Sequence, residues 1–525
     1  MSYSKIVSDL FKDTGRVDVF VGAGVSYNSG LPLAIPLLHE CLSGLGIEEE
    51  DLGQLIIPEK ILTLAFESYI EIFLHNAESL NLLNVFKSGS MNSNHILIAK
   101  LFKLGLVRTI FTTNFDQHLE EALGDMEYEK YIREDDFDKI HSQNESKQSL
   151  VKLHGCISDP MSLRTTIETI TSKSLSSNRD EAIQKAFQGS SQDKLLVLGY
   201  SFSDIFDVLP AIEKIFNPQK QLFVIEHTPG LNEGRLAQLE SFGIGDTPQA
   251  LRKFDGSRIK VNTDTFMDDI CSTIDILNPL LRYDPVWQPE VSAWIDSLVP
   301  TYKKNSILAQ VFYKVEDYRV AKKYYKKIVD SEEFAREESS GQNVRTVAAT
   351  RTNLGLVYEH LDDLPNSIHE HNMALKLFQK VDYFFGVGAC HNNIANALIA
   401  DGNAAKGQQA HSHLLKAIKI TKEKVIEGKT RLLADIYNTY GWMFEKRGDY
   451  QYAFDKYELA LELDGEGNRL GESITLLNMA RMKFKLGRTP EAMGLLEKSI
   501  SIAKSFSHSS IMERCDKLKE EIDHC

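Results

Sequence analysis

The chain has 525 residues and a formal net charge of -15 at pH 7, with 42% hydrophobic and 25% charged residues. At roughly 150 residues per domain this length predicts two to four domains with sizeable cores, and a composition near the globular average excludes a disordered or fibrous chain. The acidic balance excludes a general binder of nucleic-acid phosphates, which needs surplus Lys and Arg to displace counterions.

Six cysteines, Cys41, Cys156, Cys271, Cys390, Cys515 and Cys525, lie far apart and form no C-x-x-C pair. This predicts reduced thiols and no metal site. The opening MSYSKIVSDLFKDTGR has no apolar signal core, and no run approaches the roughly 20 apolar residues of a membrane span, so a cytoplasmic chain without a membrane partner is expected.

From residue 17 to about 261, short β-branched runs recur: VDVFV (17–21), LVRTIFT (106–112), LVKLH (150–154), KLLVLG (194–199), QLFVIE (221–226) and SRIKV (257–261). Between them, 94–104, 115–123, 203–216 and 230–242 show helical spacing, and this alternation predicts a doubly wound (Rossmann-like) α/β domain with a parallel sheet over residues 1–276. The long stretch from Gly30 to about Gly89 reads as a helical insertion over the sheet edge, able to line a substrate entrance. Pro279, Pro285, Pro289 and Pro300 crowd the stretch 277–305, although the whole chain has 14 prolines, and mark a connector. Trp287 and Trp294 within it predict a packed connector, not a free linker.

Residues 306–525 are rich in helix formers and repeat a frame. Ala309, Gly355, Ala395, Gly441 and Ala480 are each followed twelve positions later by another small residue: Ala321, Ser367, Gly407, Ala453 and Ala492. Between each pair stands a turn: VEDY (315–318), LDDL (361–364), DGN (401–403), RGDY (447–450) or LGRT (486–489). Small residues on both sides of a short turn let paired helices approach closely and stack into an all-α solenoid. The pattern, with Tyr358, Ala374, Phe444, Tyr457 and Ala460, resembles the tetratricopeptide repeat. The spacings of 46, 40, 46 and 39 exceed the usual ~34, which predicts longer helices or extra turns. His360, His371, His391, His411 and His413 lack ligand spacing and read as scattered solenoid positions.

The chemistry gathers at the carboxyl ends of the predicted strands, where open α/β sheets bind ligands. The first strand runs into VGAGVSYNSGLP (21–32), whose Gly22 and Gly24 would let the backbone approach a phosphate and whose Ser26 adds a hydroxyl. A hydride-transferring G-x-G-x-x-G site is disfavoured, because its third glycine position is Tyr27 and no acidic residue ends a second strand some ~20 residues later. FTTNFD (111–116), KLHGCIS (152–158) and GYSFSD (199–204) follow the next strands, and another ends at Glu226, a carboxylate that could receive ribose hydroxyls.

GAGVSYNSGLP, TTNFD, KLHG and LVLGYSFSD, in this order, resemble the NAD-binding core of the sirtuins over roughly residues 10–275. The resemblance implies NAD+ as substrate. It assigns the pyrophosphate and nicotinamide ribose to Gly22, Ala23, Gly24 and Ser26, the ribose and nicotinamide to Asn114 and Asp116, and the catalytic base to His154. Gly199 and Ser201 then match a loop near the adenosine ribose and phosphate, Glu226 lies where the family contacts adenosine, and Thr113 replaces the family's Gln. The four zinc-binding cysteines of protein-deacylating sirtuins are missing, and Leu33, Ala34 and Ile35 replace the family's D-F-R. With a helical-repeat tail, this combination looks like the bacterial sirtuin-like effectors of antiphage defence.

The expectation is an NAD+ glycohydrolase, with His154 as base and Asn114 holding water or ribose. Repeats that sense a protein trigger, and a homo-oligomer formed through the sirtuin-like domain, complete it. A protein deacylase or ADP-ribosyltransferase is the rival enzyme reading, and a non-catalytic nucleotide-sensing scaffold is the rival without chemistry.

Overall fold

The computed structural model describes all residues other than 1–2, 12–16, 58–60, 63, 77–80, 142–146, 167–172, 203–207, 239–248, 342, 465–468, 506–508 and 525. The chain divides into two compact units, Met1–Leu298 and Val299–Cys525. No helix among the described residues is long and apolar enough to cross a membrane.

Among the described residues of the first unit, eight strands form one sheet: Val17–Val21 (β1), Thr109–Thr112 (β2), Glu129–Tyr131 (β3), Ser149–Lys152 (β4), Lys194–Leu198 (β5), Gln221–His227 (β6), Arg235–Gln238 (β7) and Gly256–Val261 (β8). Their order is β3-β4-β2-β1-β5-β6-β8-β7, and every pairing is parallel except that of β7 with β8. The six sequence-predicted strands are all present, so the doubly wound parallel sheet stands. The helix expected over 230–242 is replaced in its described part by β7. This strand closes the sheet edge antiparallel, with Leu236 opposite Ile259.

Successive residues of each central strand enter different cores. Val19, Val21, Ile110, Leu196 and Leu198 pack on one face with Leu97, Ile98, Phe102, Phe266 and Ile270. Phe20, Phe111, Val151, Leu195 and Val197 pack on the other with Ile183, Phe187, Ala211 and Ile212. Strands buried on both faces need no polar alternation, and for that reason they read as continuous apolar runs. At the amino end of β1 the wholly buried Asp18 carboxylate is held by Lys220 at 2.6 Å and Arg108 at 2.7 Å.

The stretch expected as a helical insertion forms helices Ala34–Gly44, Glu49–Leu55 and Phe66–Asn76, and a 3-10 segment, Asn81–Lys87. Against it packs helix Gln288–Asp296 from the Pro-rich stretch: the rings of Phe73 and Trp294 are 5.3 Å apart, and a Cβ on Gly44 would fall 2.1 Å from Ile295 Cδ1. Residues 277–298 thus pack within the first unit, where Tyr283 N–H also donates to Asn28 O at 2.9 Å.

The second unit consists of helical hairpins. Tyr302–Lys314 pairs with Tyr318–Val329, Val344–His360 with Leu364–Lys380, Phe384–Ala400 with Ala404–Glu423, Lys429–Arg447 with Tyr450–Asp464, and Arg469–Lys485 with Thr489–Ser505. Helix Glu332–Ser340 follows the first hairpin, and Ser509–Asp523 ends the array. That extra helix explains the first 46-residue spacing, and the 20-residue helix Ala404–Glu423 with its loop explains the second. The reference small residues lie on the helix-packing faces: a Cβ on Gly355 would meet the His371 ring at 2.6 Å, and one on Gly441 the Tyr457 ring at 2.6 Å. Ala309, Ala395 and Ala480 are wholly buried, as are Ala321, Ser367, Ala453 and Ala492. Gly407 departs from the expected frame. It is only half-buried, and Ala410, one turn later, takes the wholly buried place.

Candidate active site

The sheet order reverses at β1, which pairs with β2 on one side and with β5 on the other. In open α/β sheets such a reversal point, at the carboxyl ends of the strands, is where ligands bind. The loop after β1 lies directly against the loop after β5. Gly22 N–H donates to Leu198 O and Gly24 N–H to Gly199 O, both at 2.9 Å. A Cβ on Gly22 would sit 2.5 Å from Gly199 O, one on Gly24 would sit 2.9 Å from Gly199 Cα, and one on Gly199, at φ +63°, 2.4 Å from Val25 N. The three glycines therefore allow the two loops to touch each other. Ala23 and Gly24 are exposed at the rim, as is Ser201.

Below the rim, the loop after β2 turns inward. Thr112 Oγ1 donates to Val21 O at 3.0 Å and accepts from Asn114 N–H at 3.0 Å, so the strand end itself sets the direction of Asn114. Asn114 is buried, and its Nδ2 lies 3.1 Å from Ser26 Oγ and 3.3 Å from Gly22 O. Its Oδ1 is buried with no hydrogen-bond partner among the described residues. Such an acceptor is expensive to leave unsatisfied, and it is the group here best suited to a ligand hydroxyl or a water.

Ser26 Oγ donates to Asp116 Oδ2 at 3.1 Å, while Asp116 Oδ1 accepts from His118 N–H at 3.0 Å. Burial alone would push the Asp116 carboxyl up, but the facing His95 and Lys152, with His118, hold it below the usual carboxylate range. Both its oxygens are thus engaged inside the protein. Thr113, half-buried, is tied by its N–H to Val21 O.

The loop after β4 is laced to the loop after β2: Leu153 N–H donates to Thr112 O at 2.8 Å and Ile157 N–H to Phe115 O at 2.9 Å. These bonds bring buried His154 beside Phe115, with ring centroids 6.2 Å apart. Gly155, at φ +85°, lets the chain pass under Ser162, whose carbonyl oxygen a Cβ there would approach to 2.2 Å.

The sequence-derived set is thus brought together in part. Gly22, Ala23, Gly24, Ser26, Thr113, Asn114 and Asp116 surround the ends of β1 and β2, Gly199 and Ser201 follow β5, and His154 follows β4. Glu226 lies apart at the end of β6 and is ion-paired with Arg258 and, at 3.7 Å, with Lys260. Residues 203 and 204 of GYSFSD lie outside the described residues.

Two further buried groups adjoin these residues, His95 and Lys152. His95, wholly buried on helix Ser93–Lys103, places Nε2 3.1 Å from Ser26 Oγ and lies with its ring 5.5 Å from that of His118. Burial lowers it from the ordinary histidine value to about 4. Buried Lys152 donates to Asp116 O and pairs with Glu120 at 3.2 Å, bracing the loop from beneath. Lys152 thus also sets a positive charge beside the Asp116 carboxylate. No three or more His, Cys, Asp or Glu among the described residues are grouped to hold a metal ion.

Residues 108–245 match the SIR2-like domain family and residues 432–505 the tetratricopeptide repeat family. An NAD-dependent protein deacetylase of Clostridium perfringens (strain 13 / Type A) is 31% identical over 111 residues, 21% of this chain and 41% of that protein, so this chain spans less than half of that relative. Among solved structures, BtubC (BKLC) from P. vanneervenii is similar at TM-score 0.31 and 17% identity, over 41% of this chain and 84% of that one. The apo quorum sensor NprR from B. thuringiensis is similar at TM-score 0.34 and 22% identity, over 44% and 65%. The chain carries a SIR2-like domain followed by tetratricopeptide repeats.

Proposed function

We propose that the SIR2-like domain is an NAD+ glycohydrolase, releasing nicotinamide and ADP-ribose, and that the protein serves bacterial antiphage defence by depleting NAD+ when its repeats meet a protein trigger. The observation that carries the chemistry is the unpartnered, buried Oδ1 of Asn114, held by the ends of β1 and β2 on a loop laced to that of His154.

The substrate's nicotinamide is a cationic leaving group and departs neutral, taking the bonding pair of the broken C–N bond. The protein then has to stabilise a sugar cation and deliver water. Asn114 accepts a hydrogen bond from that water or from a ribose hydroxyl. His154 takes the proton released as the water oxygen bonds to the sugar carbon. Gly22, Ala23, Gly24, Gly199 and Ser201 line the rim that would receive the pyrophosphate and adenosine ribose, and Asp116 steadies the floor through Ser26. Glu226 reaches adenosine in this reading only by sharing its carboxylate with Arg258. Free NAD+ hydrolysis would harm the host, so the reading includes a resting state released through the repeats and a homo-oligomer of the SIR2-like domains.

The test incubates purified wild-type, Asn114→Ala and His154→Ala proteins with NAD+, with and without lysate of phage-infected cells, and separates the products by chromatography. Free ADP-ribose from wild type and a loss of at least ~100-fold in both variants is expected. Nicotinamide released with O-acyl-ADP-ribose only when an acylated peptide is present would favour a protein deacylase, the activity named for the Clostridium perfringens relative. Bound but uncleaved NAD+ under every condition would point to a nucleotide-sensing scaffold.

A further inference from the structure

The hydrogen bonds around Ser26 fix more than their number suggests, because only one assignment of donors and acceptors satisfies them all. A serine hydroxyl has one hydrogen and two acceptor sites. Three groups lie 3.1 Å from Ser26 Oγ: His95 Nε2, Asp116 Oδ2 and Asn114 Nδ2. Asp116 can only accept when ionised, so it takes the hydroxyl hydrogen. Asn114 Nδ2 can only donate, so it fills one acceptor site.

The remaining acceptor site needs a donor on His95 Nε2, and an independent contact shows that it has one. Asn92 backbone N–H lies 3.2 Å from His95 Nδ1, and an N–H cannot accept; Ser29 Oγ, at 3.4 Å from the same nitrogen, can donate as well as accept and so leaves the choice to the Asn92 N–H. His95 Nδ1 must therefore present its lone pair, and a neutral imidazole then carries its proton on Nε2. Asn92 is itself anchored, accepting from His95 N–H through Oδ1 and donating to Val25 O at 2.8 Å.

The consequence reaches Asn114. Its two amide hydrogens point at Ser26 Oγ and Gly22 O. The flipped amide would set oxygen against the Gly22 carbonyl and against a serine oxygen whose hydrogen Asp116 already holds. We infer that His95 is a positioning residue: its Nε2 proton, passed as an orientation through Ser26, fixes the Asn114 amide with both N–H groups on protein oxygens, and so keeps Oδ1 as the free acceptor for the sugar or water. This rests on the hydrolase reading only for its effect on catalysis. The hydrogen-bond order stands or falls by itself.

Two near-isosteric variants separate positioning from folding. His95→Gln places an amide N–H about where Nε2 stood, whereas His95→Asn keeps an acceptor near the Asn92 N–H but cannot reach Ser26. With NAD+ as substrate, His95→Asn is expected to lower kcat about 10- to 100-fold with KM within about threefold of wild type, and His95→Gln to restore most of the rate. Unchanged kcat in His95→Asn, or equal loss in both variants together with a lowered Tm, would overturn the inference.

Nitrogen-15 NMR of histidine-labelled wild-type protein at pH 7, with His95 assigned by its absence in His95→Gln, reads the tautomer without any turnover. The Nε2-protonated form is expected, and the Nδ1-protonated form would overturn the inference even in an active enzyme. Should wild type release no nicotinamide, the hydrolase reading fails while this spectrum still decides the role of His95.

Discussion

Asn114 spends both amide hydrogens on fixed oxygens of the protein, and this makes it intolerant of the smallest change in chemistry. Asn114→Asp keeps the shape but sets a carboxylate against Gly22 O and next to ionised Asp116. It is expected to abolish NAD+ cleavage by at least ~100-fold and to destabilise the first unit by about 1–3 kcal/mol. Nicotinamide release and urea unfolding check the two parts, and near-wild-type values in both would refute this account of the amide. Gly199→Ala tests the loop contact. A methyl at φ +63° and 2.4 Å from Val25 N forces the loops after β1 and β5 apart, at an expected loss of about 2 kcal/mol or more, read as a lower urea midpoint. The placement of Asn114, Asp116 and His154 just past strand ends was legible in the sequence, because the apolar runs before them mark where each strand stops. His95 was not: it stands 69 residues from Ser26 in an ordinary amphipathic helix, and only the tertiary fold shows that its ring meets a serine. Lys152 escaped for the opposite reason, lying inside a strand whose apolar neighbours concealed a buried cation.

At the scale of elements, the repeat turns carry their own signal. Glu316, Asp362, Gly402, Gly448 and Gly487 all have positive φ, and each stands seven residues after the small residue of its repeat. The next residue caps the following helix in several hairpins: Asp317 accepts from Val320 N–H, Asp363 from Asn366 N–H, and Asn403 from Ala405 N–H. Three turns use glycine at the left-handed position, and two use an acid that adopts it at a steric cost. Asp362→Gly should therefore stabilise the second hairpin by about 0.5–1 kcal/mol, seen as a raised Tm, with Gly448→Asp shifting Tm the other way. An unchanged or lowered Tm in Asp362→Gly would mean that this turn gains more from its carboxylate than from relief of strain. The strands were readable on similar grounds, since continuous apolar runs of five to seven residues have few other uses. The two edge strands were not. β3 is only Glu-Lys-Tyr, and β7, Arg-Leu-Ala-Gln, sits in a stretch whose leucine spacing mimics a helix while one antiparallel ladder with β8 decides otherwise.

On the scale of the whole molecule, both units bury a neutral histidine, and this sets a common response to acid. His95 in the first unit and His371 in the second are each lowered by burial from 6.5 to about 4. The two differ in partners. His95 is hydrogen-bonded through both ring nitrogens, whereas the His371 ring is packed over Gly355 with neither nitrogen partnered among the described residues. Between pH 6.5 and pH 4 the unfolded chain binds a proton at each site that the folded chain refuses. The stability from each is thus whole above about pH 6.5 and is lost progressively as pH falls toward 4. At pH 5 each site withdraws about 2 kcal/mol. The loss at His371 involves no hydrogen-bond network, so His371→Leu should remove it cleanly. The repeat unit of this variant should show a denaturant midpoint that changes less between pH 7 and pH 5 than wild type, while unfolding of the first unit keeps its acid sensitivity through His95. An identical pH dependence in wild type and His371→Leu would show that this histidine takes its proton without unfolding the solenoid, and would move the acid response of the second unit to other groups such as His391, which burial also lowers to about 4.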